Sequence, residues 1–261
     1  VYVMNVDTGE VVEGPIGRCR YSPIAWLKGG SAFYYVRRIA PELLPESEAH
    51  FHRRVYLHMV GADPETDILV FGAGMNMTNY YGVSVSRDGR WLEVSSSEGT
   101  EPRNDLWIAD LTQCAPTSPS FELVQGDVDA QTSISFGRDG RAYIFTDNNA
   151  PRGTVLVTNP GSWNPNSWET LIPEPQDAVL ESVTLLDGED LDQDQLMVVQ
   201  TSHGVAEMTM HTATNGEKLY EVELPGAGTI GGPVEHIDGG PITWIVYTDH
   251  TTVPTIYEFD A

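Results

Sequence analysis

Two copies of one short pattern, Arg87-Asp88-Gly89-Arg90 and Arg138-Asp139-Gly140-Arg141, lie 51 residues apart (139 minus 88), each between two strand-like runs. Asp-Gly is favoured in tight hairpin turns, because Gly adopts the positive φ that such turns require. Around the first copy, residues 82–86, 91–96 and 105–111 read as three successive strands. A turn-rich loop, Ser97-Glu98-Gly99-Thr100-Glu101-Pro102, joins the last two. Runs this short are not stable alone, so three or four must pair into an antiparallel sheet.

The unit recurs along the chain. Residues 1–20 hold a strand, the turn Asp7-Thr8-Gly9-Glu10 and Val11-Val12, and read as the end of a preceding unit. Further units follow at about 21–75, 76–126, 127–175, 176–226 and 227–261, and the last stops short of its fourth strand. A β-sandwich does not explain a repeated strand–turn–strand module; radial repetition of small sheets does. The fold class expected is therefore all-β: a single partial β-propeller domain of four-stranded antiparallel blades, with about five blades present.

Composition agrees with a packed domain. Six Trp, 11 Tyr and 7 Phe within a 40% hydrophobic chain suffice for a core. No apolar run is long enough to span a bilayer as a helix. Thirty-eight acidic against 14 basic residues give a net charge of −24, which repels phosphate and makes nucleic acid and anionic membranes poor partners. The bland reading is solubility, as in a salt-tolerant or soil bacterium. Cys19 and Cys114 do not make a disulfide scaffold, and the spacing cannot say whether they pair. The chain opens VYVMNVDTGE, like a strand entered halfway, and reads as a fragment; cytoplasmic residence is the expectation.

Catalytic and metal chemistry is sparse. No Ser has Gly at both flanking positions, so no nucleophile elbow is expected and no catalytic residue is assigned. On a strand, His50 and His52 would share a face, with His58 six further on, but no Cys or carboxylate accompanies them at a ligand spacing. They are expected on a polar blade edge. In the acidic run 187–194, Gln195 and Thr201 stand where a calcium loop needs Gly and Glu, so a solvated hairpin tip is expected. No metal and no cofactor are assigned. Trp26, Trp91, Trp107 and Trp244 lie in strand runs and are expected to pack between blades; Trp163, in a loop, is expected at the surface.

Three segments carry a resemblance: PELLPESEAHFHRRVYLHMVGADPETDILVFG (41–72), SRDGRWLEVSSSEGTEPRNDLWIADL (86–111) and YTDHTTVPTIYEFD (247–260). They resemble the propeller domain of the prolyl oligopeptidase family, whose seven-bladed propeller covers a serine-peptidase α/β-hydrolase domain that cleaves short peptides after proline. The resemblance implies a non-catalytic propeller portion that gates peptide access to a hydrolase domain of the same parent chain. It also implies a substrate-facing set. The family carries Arg and Cys in the loop matching 97–100, where this chain has Ser97 and Thr100; Ile24 and Tyr80 match apolar cleft positions. The competing reading is that these four residues merely close blade loops. A self-standing propeller serving as an interaction platform is the rival function, and open blade edges would invite self-association.

Overall fold

The computed structural model describes all of residues 1–261, in two compact units, Val1–Asp129 and Ala130–Ala261. In the first unit, β1 (Val3–Met4) and β2 (Val11–Glu13) form a ribbon. Two four-stranded antiparallel sheets follow. The first contains β3 (Ile24–Trp26), β4 (Ala32–Arg38), β5 (Arg53–Met59) and β6 (Ile68–Phe71). The second contains β7 (Asn79–Val85), β8 (Trp91–Glu98), β9 (Asp105–Asp110) and β10 (Glu122–Gln125). In each, neighbours in sequence are neighbours in the sheet.

The second unit repeats the plan. One sheet holds β11 (Thr132–Phe136), β12 (Ala142–Thr146), β13 (Thr154–Thr158) and β14 (Glu169–Ile172). The next holds β15 (Val179–Leu186), β16 (Gln195–Ser202), β17 (Val205–Thr212) and β18 (Lys218–Glu221). The last has three strands, β19 (Thr229–Glu235), β20 (Ile242–Thr248) and β21 (Thr255–Asp260). Four four-stranded sheets and one of three, each a meander, are the blades of a β-propeller.

The Asp-Gly turns are alike, and wider than a two-residue hairpin. Ser86 and Trp91 close the first, with Gly89 N–H donating to Ser86 O at 2.8 Å and Gly89 at φ +80°. Asp88 Oδ1 accepts from Arg90 N at 3.0 Å. In the second copy Gly140 is again at +80° and Asp139 Oδ1 accepts from Arg141 N at 2.9 Å. The Asp carboxylate thus holds the far arm of a loop of four residues in the first copy and three in the second, where Gly137 N–H donates to Arg141 O at 3.0 Å, so the dipeptide sits inside the turn without being all of it.

Burial explains the strand types. Alternation along β8 sends Leu92, Val94 and Ser96 inward. β4, AFYYVRR, is buried on both faces, as a continuous apolar run permits. Its Tyr34 and Val36 pack with Val55, Leu57, Tyr81, Val83, Leu92 and Val94 between the two sheets. Its other face, Phe33 and Tyr35, packs on Ile16 beside the ribbon. There, fully buried His58 bridges two carboxylates, Nδ1 to Asp67 Oδ1 at 2.7 Å and Nε2 to Glu13 Oε1 at 3.0 Å. Tyr35 Oη donates to Asp67 Oδ2 at 2.5 Å, and burial, with that bond, pushes its phenol well above the ordinary tyrosine range. Glu13 lies on β2, so this chain of polar groups pins the ribbon to the sheet.

Several expectations need correcting. Trp26 is 43% exposed, lying against Phe33 at 4.8 Å, because it shares the outward face of β3 with Ile24 while Ala25 points inward. Trp163 is buried, edge-on to Phe136 at 6.2 Å, because its loop folds back onto the sheet. The acidic run is not wholly solvated: Asp187 is fully buried and accepts from Arg138 N at 2.8 Å, while its carbonyl takes Gly240 N–H at 2.8 Å. Cys19 and Cys114, whose pairing the spacing left open, are both free.

Two stability measurements follow. Leu92→Ala, which empties a fully buried position, is expected to lower unfolding free energy by about 3 kcal/mol in urea titration. His58→Phe strands two carboxylates in the interior and is expected to cost a similar amount, about 3 kcal/mol. Wild-type stability for either variant contradicts the corresponding packing account.

Candidate functional site

The β4–β5 ladder runs in register from Ala32↔Met59 to Arg38↔Arg53. Its last two rungs are Arg37↔Arg54 and Arg38↔Arg53, like charges directly opposite, a pairing that ordinarily destabilises a sheet. Arg38 N–H donates to Arg18 O at 3.1 Å, and Arg20 follows closely in sequence. Six of the chain's 14 basic residues (Arg18, Arg20, Arg37, Arg38, Arg53, Arg54) therefore gather at one end of one sheet in a protein of net charge −24.

Five of the six have partners. Arg18 grips Glu65 with bonds of 2.8 and 3.0 Å, and Arg37 reaches the same carboxylate at 3.5 Å while lying 4.7 Å over the Tyr56 ring. Arg38 Nη1 lies 3.0 Å from His50 Nδ1 and donates to Ala49 O at 3.3 Å. Arg54 Nη1 donates to Arg53 O at 2.6 Å. Arg20 lies 5.1 Å over the Tyr21 ring. The Arg53 side chain makes no hydrogen bond or ion pair, whereas Arg37 and Arg38, whose Nε atoms are likewise enclosed without an acceptor, find partners through their Nη atoms. Arg53 is 6% exposed, its Nε is enclosed without a hydrogen bond, and its one close companion is the Tyr80 ring, 3.8 Å away.

Tyr80 is one of the residues expected to face a substrate. It stands outward on β7 while its neighbours Asn79 and Tyr81 are buried. Burial raises the Tyr81 phenol above its ordinary value, against the opposing charge of Arg54. Across the ladder Tyr80 pairs with Ser97, so the register brings those two together. Ile24, also outward, begins β3, which packs beside β7. Thr100 stands apart, exposed on a turn closed by Glu101 N–H to Glu98 O at 3.2 Å.

Alternation along β8 divides the expected loop between two surfaces. Ser97 goes to the Tyr80 side. Ser96 and Glu98 go to the other, where they line an open cleft of about 220 Å³ with Asn79, Glu101, Arg103 and Asp127. The carboxylates there are largely occupied: Glu98 accepts from Asn76 Nδ2 at 2.8 Å, and Glu101 pairs with Arg103 at 2.9 Å.

Two site residues escape a reading of the sequence, Arg53 and Tyr21. Arg53 stands in a run, His52-Arg53-Arg54, that reads as polar blade edge. Tyr21 is 66% exposed, its ring 6.4 Å from Tyr80, and its backbone is left-handed at φ +58°. Arg18 (+64°) and His52 (+57°) share that unfavourable region, so three of the six non-glycine residues at positive φ collect here. Backbone strain of this kind concentrates where a surface is shaped for a task. A pattern of paired basic residues flanking tyrosines was the available signal, but nothing local in sequence joins residue 21 to 53 and 80.

The histidines do not act together. β5 begins at Arg53, so His50 and His52 precede the strand and share no strand face. His52 Nε2 meets Glu48 at 2.6 Å, His50 meets Arg38, and His58 lies buried between Asp67 and Glu13 and not on a blade edge.

In chemical terms the surface offers a hydrogen-bonding hydroxyl, two ring faces and an unneutralised guanidinium, which are tools for binding. The chain as a whole is similar to known proteins of one family. The family model for the prolyl oligopeptidase N-terminal beta-propeller domain matches residues 1–261. A prolyl endopeptidase of Elizabethkingia miricola is 26% identical over 99% of this chain, and the chain spans 35% of that protein's length. The dual function macrocyclase-peptidase POPB of Galerina marginata is 28% identical over 63% of the chain, which spans 22% of that protein. Among solved structures, one from a study of two prolyl endopeptidases matches 99% of this chain and 36% of its own, with TM-score 0.84 and 24% identity. Prolyl oligopeptidase B of Galerina marginata, bound to a 35-residue hydrolysis and macrocyclisation substrate, has TM-score 0.81 at 21% identity, covering 97% of this chain and 33% of its own. A β-propeller matched by that family model from its first residue to its last belongs to the prolyl oligopeptidase family.

Proposed function

We propose that this chain is the access-controlling propeller portion of a prolyl endopeptidase. It works with an α/β-hydrolase domain of the same parent chain, which cleaves short proline-containing peptides, in the cytoplasm. The match to curated prolyl endopeptidases across 99% of this chain, but only 35% of theirs, carries the reading. A lid of this kind serves the chemistry by keeping water and folded proteins from the reaction while admitting flexible peptides. Ile24, Tyr80, Ser97 and Thr100 are the residues we assign to the peptide-facing side. Support comes from the first two strands of the neighbouring sheets lying side by side, and from the Tyr80–Ser97 rung.

Net charge adds a selectivity. A field of −24 draws cationic peptides toward the entrance and repels anionic ones. In the intact parent enzyme at low salt, kcat/KM for a proline peptide with lysine side chains is expected to exceed that of its glutamate counterpart. The gap should close toward 1 M salt, where the screening length falls to about 3 Å. Equal rates at low salt would remove the electrostatic part of the proposal. The 261-residue chain alone is expected not to turn over a prolyl chromogenic peptide, and measurable hydrolysis would overturn the lid assignment.

A further inference from the structure

The Arg53 guanidinium presents a physical problem. A buried charge normally persists only when an opposite charge or a full set of hydrogen bonds repays its desolvation. Here an arginine faces it directly across the ladder, and its Nε has no acceptor. The carboxylates that meet this basic cluster pair with other members, Glu65 with Arg18 and Arg37, Glu48 with His52. Replacing Arg53 by an apolar residue of similar length would cost the fold its stacking on the Tyr80 ring and no ion pair or hydrogen bond. An unneutralised guanidinium held in this way suits an anion that arrives from outside.

The surroundings narrow what that anion is. Arg20, Tyr21, Tyr80 and Arg53 form a succession of cation, ring, ring and cation, with separations of 5.1, 6.4 and 3.8 Å. Both rings are exposed. The left-handed backbone at Tyr21 holds one ring out toward the other. Guanidinium binds carboxylate with matched geometry, and tyrosine faces pack flat or apolar side chains. One guanidinium beside two rings fits a single carboxylate and the residue or two before it, which is the end of a peptide.

We propose that Arg53, with Tyr21 and Tyr80, forms a subsite for the C-terminal carboxylate of a short peptide. The proposal rests on the peptide-facing reading of this surface and deepens it. Selection for short substrates then has a chemical basis besides the width of an opening, since a long or folded chain seldom presents a free carboxyl end at the right distance. It also locates a local reversal of the acidic field, where a peptide with a basic body can rest its one negative end.

Calorimetric titration of the 261-residue chain at low salt tests this with two ligands, N-acetyl-Ala-Pro-Phe as free acid and as C-terminal amide. The acid is expected to bind about tenfold tighter, the scale of one charge-assisted bond. Arg53→Met should abolish the acid–amide difference and, without peptide, raise the melting temperature, because an unpaired buried charge has gone. Tyr21→Asn, at an exposed position whose backbone asparagine tolerates, should weaken acid and amide equally while leaving the fold intact. Equal binding of acid and amide by wild type overturns the subsite while leaving a peptide-facing surface. An acid preference that survives Arg53→Met overturns the role of Arg53. Binding of neither peptide overturns the proposal, and the salt dependence of the intact enzyme then judges the lid reading separately. If acetate alone raises the melting temperature of wild type but not of Arg53→Met while both peptides fail, the guanidinium belongs to a carboxylate on a protein surface and the peptide assignment falls.

Discussion

The first unit depends on the β4–β5 ladder, seven rungs buried along both faces. Toward β7–β10 it presents Tyr34, Val36, Val55 and Leu57; toward the ribbon it presents Phe33, Tyr35 and His58. A strand covered on both sides cannot slip by one residue without moving each set to the wrong face, so its register is strongly specified. That rigidity is what allows the arginine pairs at its end. In a looser sheet, Arg37 opposite Arg54 and Arg38 opposite Arg53 would splay apart. Here the five other rungs, rich in tyrosine, valine and leucine, hold the ends in place, at a cost of roughly a few tenths to one kcal/mol per like-charge rung.

Turn chemistry organises the second unit in a comparable way. Asp139 folds the Asp-Gly loop by accepting from Arg141, and Arg141 then reaches Ala213 O at 2.8 Å in the next sheet. Asp187, at the corresponding hairpin of that next sheet, accepts from Arg138 N and offers its carbonyl to Gly240. Successive blades are thus stitched through the tips of their hairpins as well as by the aliphatic layers beneath. Gly188 fits this junction because a Cβ there would meet the Gly240 backbone at 2.8 Å. The repeated motif is therefore more than a turn signal. In the second copy Arg138 and Arg141 join one blade to the next, whereas in the first copy Arg90 pairs with Asp110 within its own sheet.

How much of this was legible depended on range. Strand periods, Asp-Gly turns and their 51-residue spacing are local, and they lead directly to a propeller of four-stranded blades. Long-range placement was harder to read. Trp163 looked like a loop residue at the surface and is buried, since a loop's return onto its sheet leaves no periodic mark. His58 looked like part of a surface histidine group, yet its partners Glu13 and Asp67 come from 45 residues before and 9 after. The Tyr80–Ser97 rung follows once β7 and β8 are paired. Tyr21 against Tyr80, and Arg53 over Tyr80, join separate elements and need the three-dimensional arrangement.

The loop 97–100 shows why a residue's chemistry and its position have to be argued separately. The family resemblance sets an Arg and a Cys in that loop, and Ser97 and Thr100 supply neither guanidinium nor thiol. Read along the chain, this is a loss. In space, a guanidinium returns to the same neighbourhood from the adjacent sheet: Arg53 lies against Tyr80, and Tyr80 is the rung partner of Ser97. Coming from a strand end and not from a loop, it is fixed by a register that the core enforces, and in the subsite we propose it would lose little conformational freedom on binding. Its cost is an unneutralised buried charge and three strained backbone positions around it. Proteins tolerate such departures from local optimality chiefly where a site requires them. The same reasoning explains why the acidic cleft beyond Ser96 and Glu98 has the opposite character. Glu98 and Glu101 there are spent on internal bonds, whereas the Arg53 side chain on the tyrosine side of β8 is not.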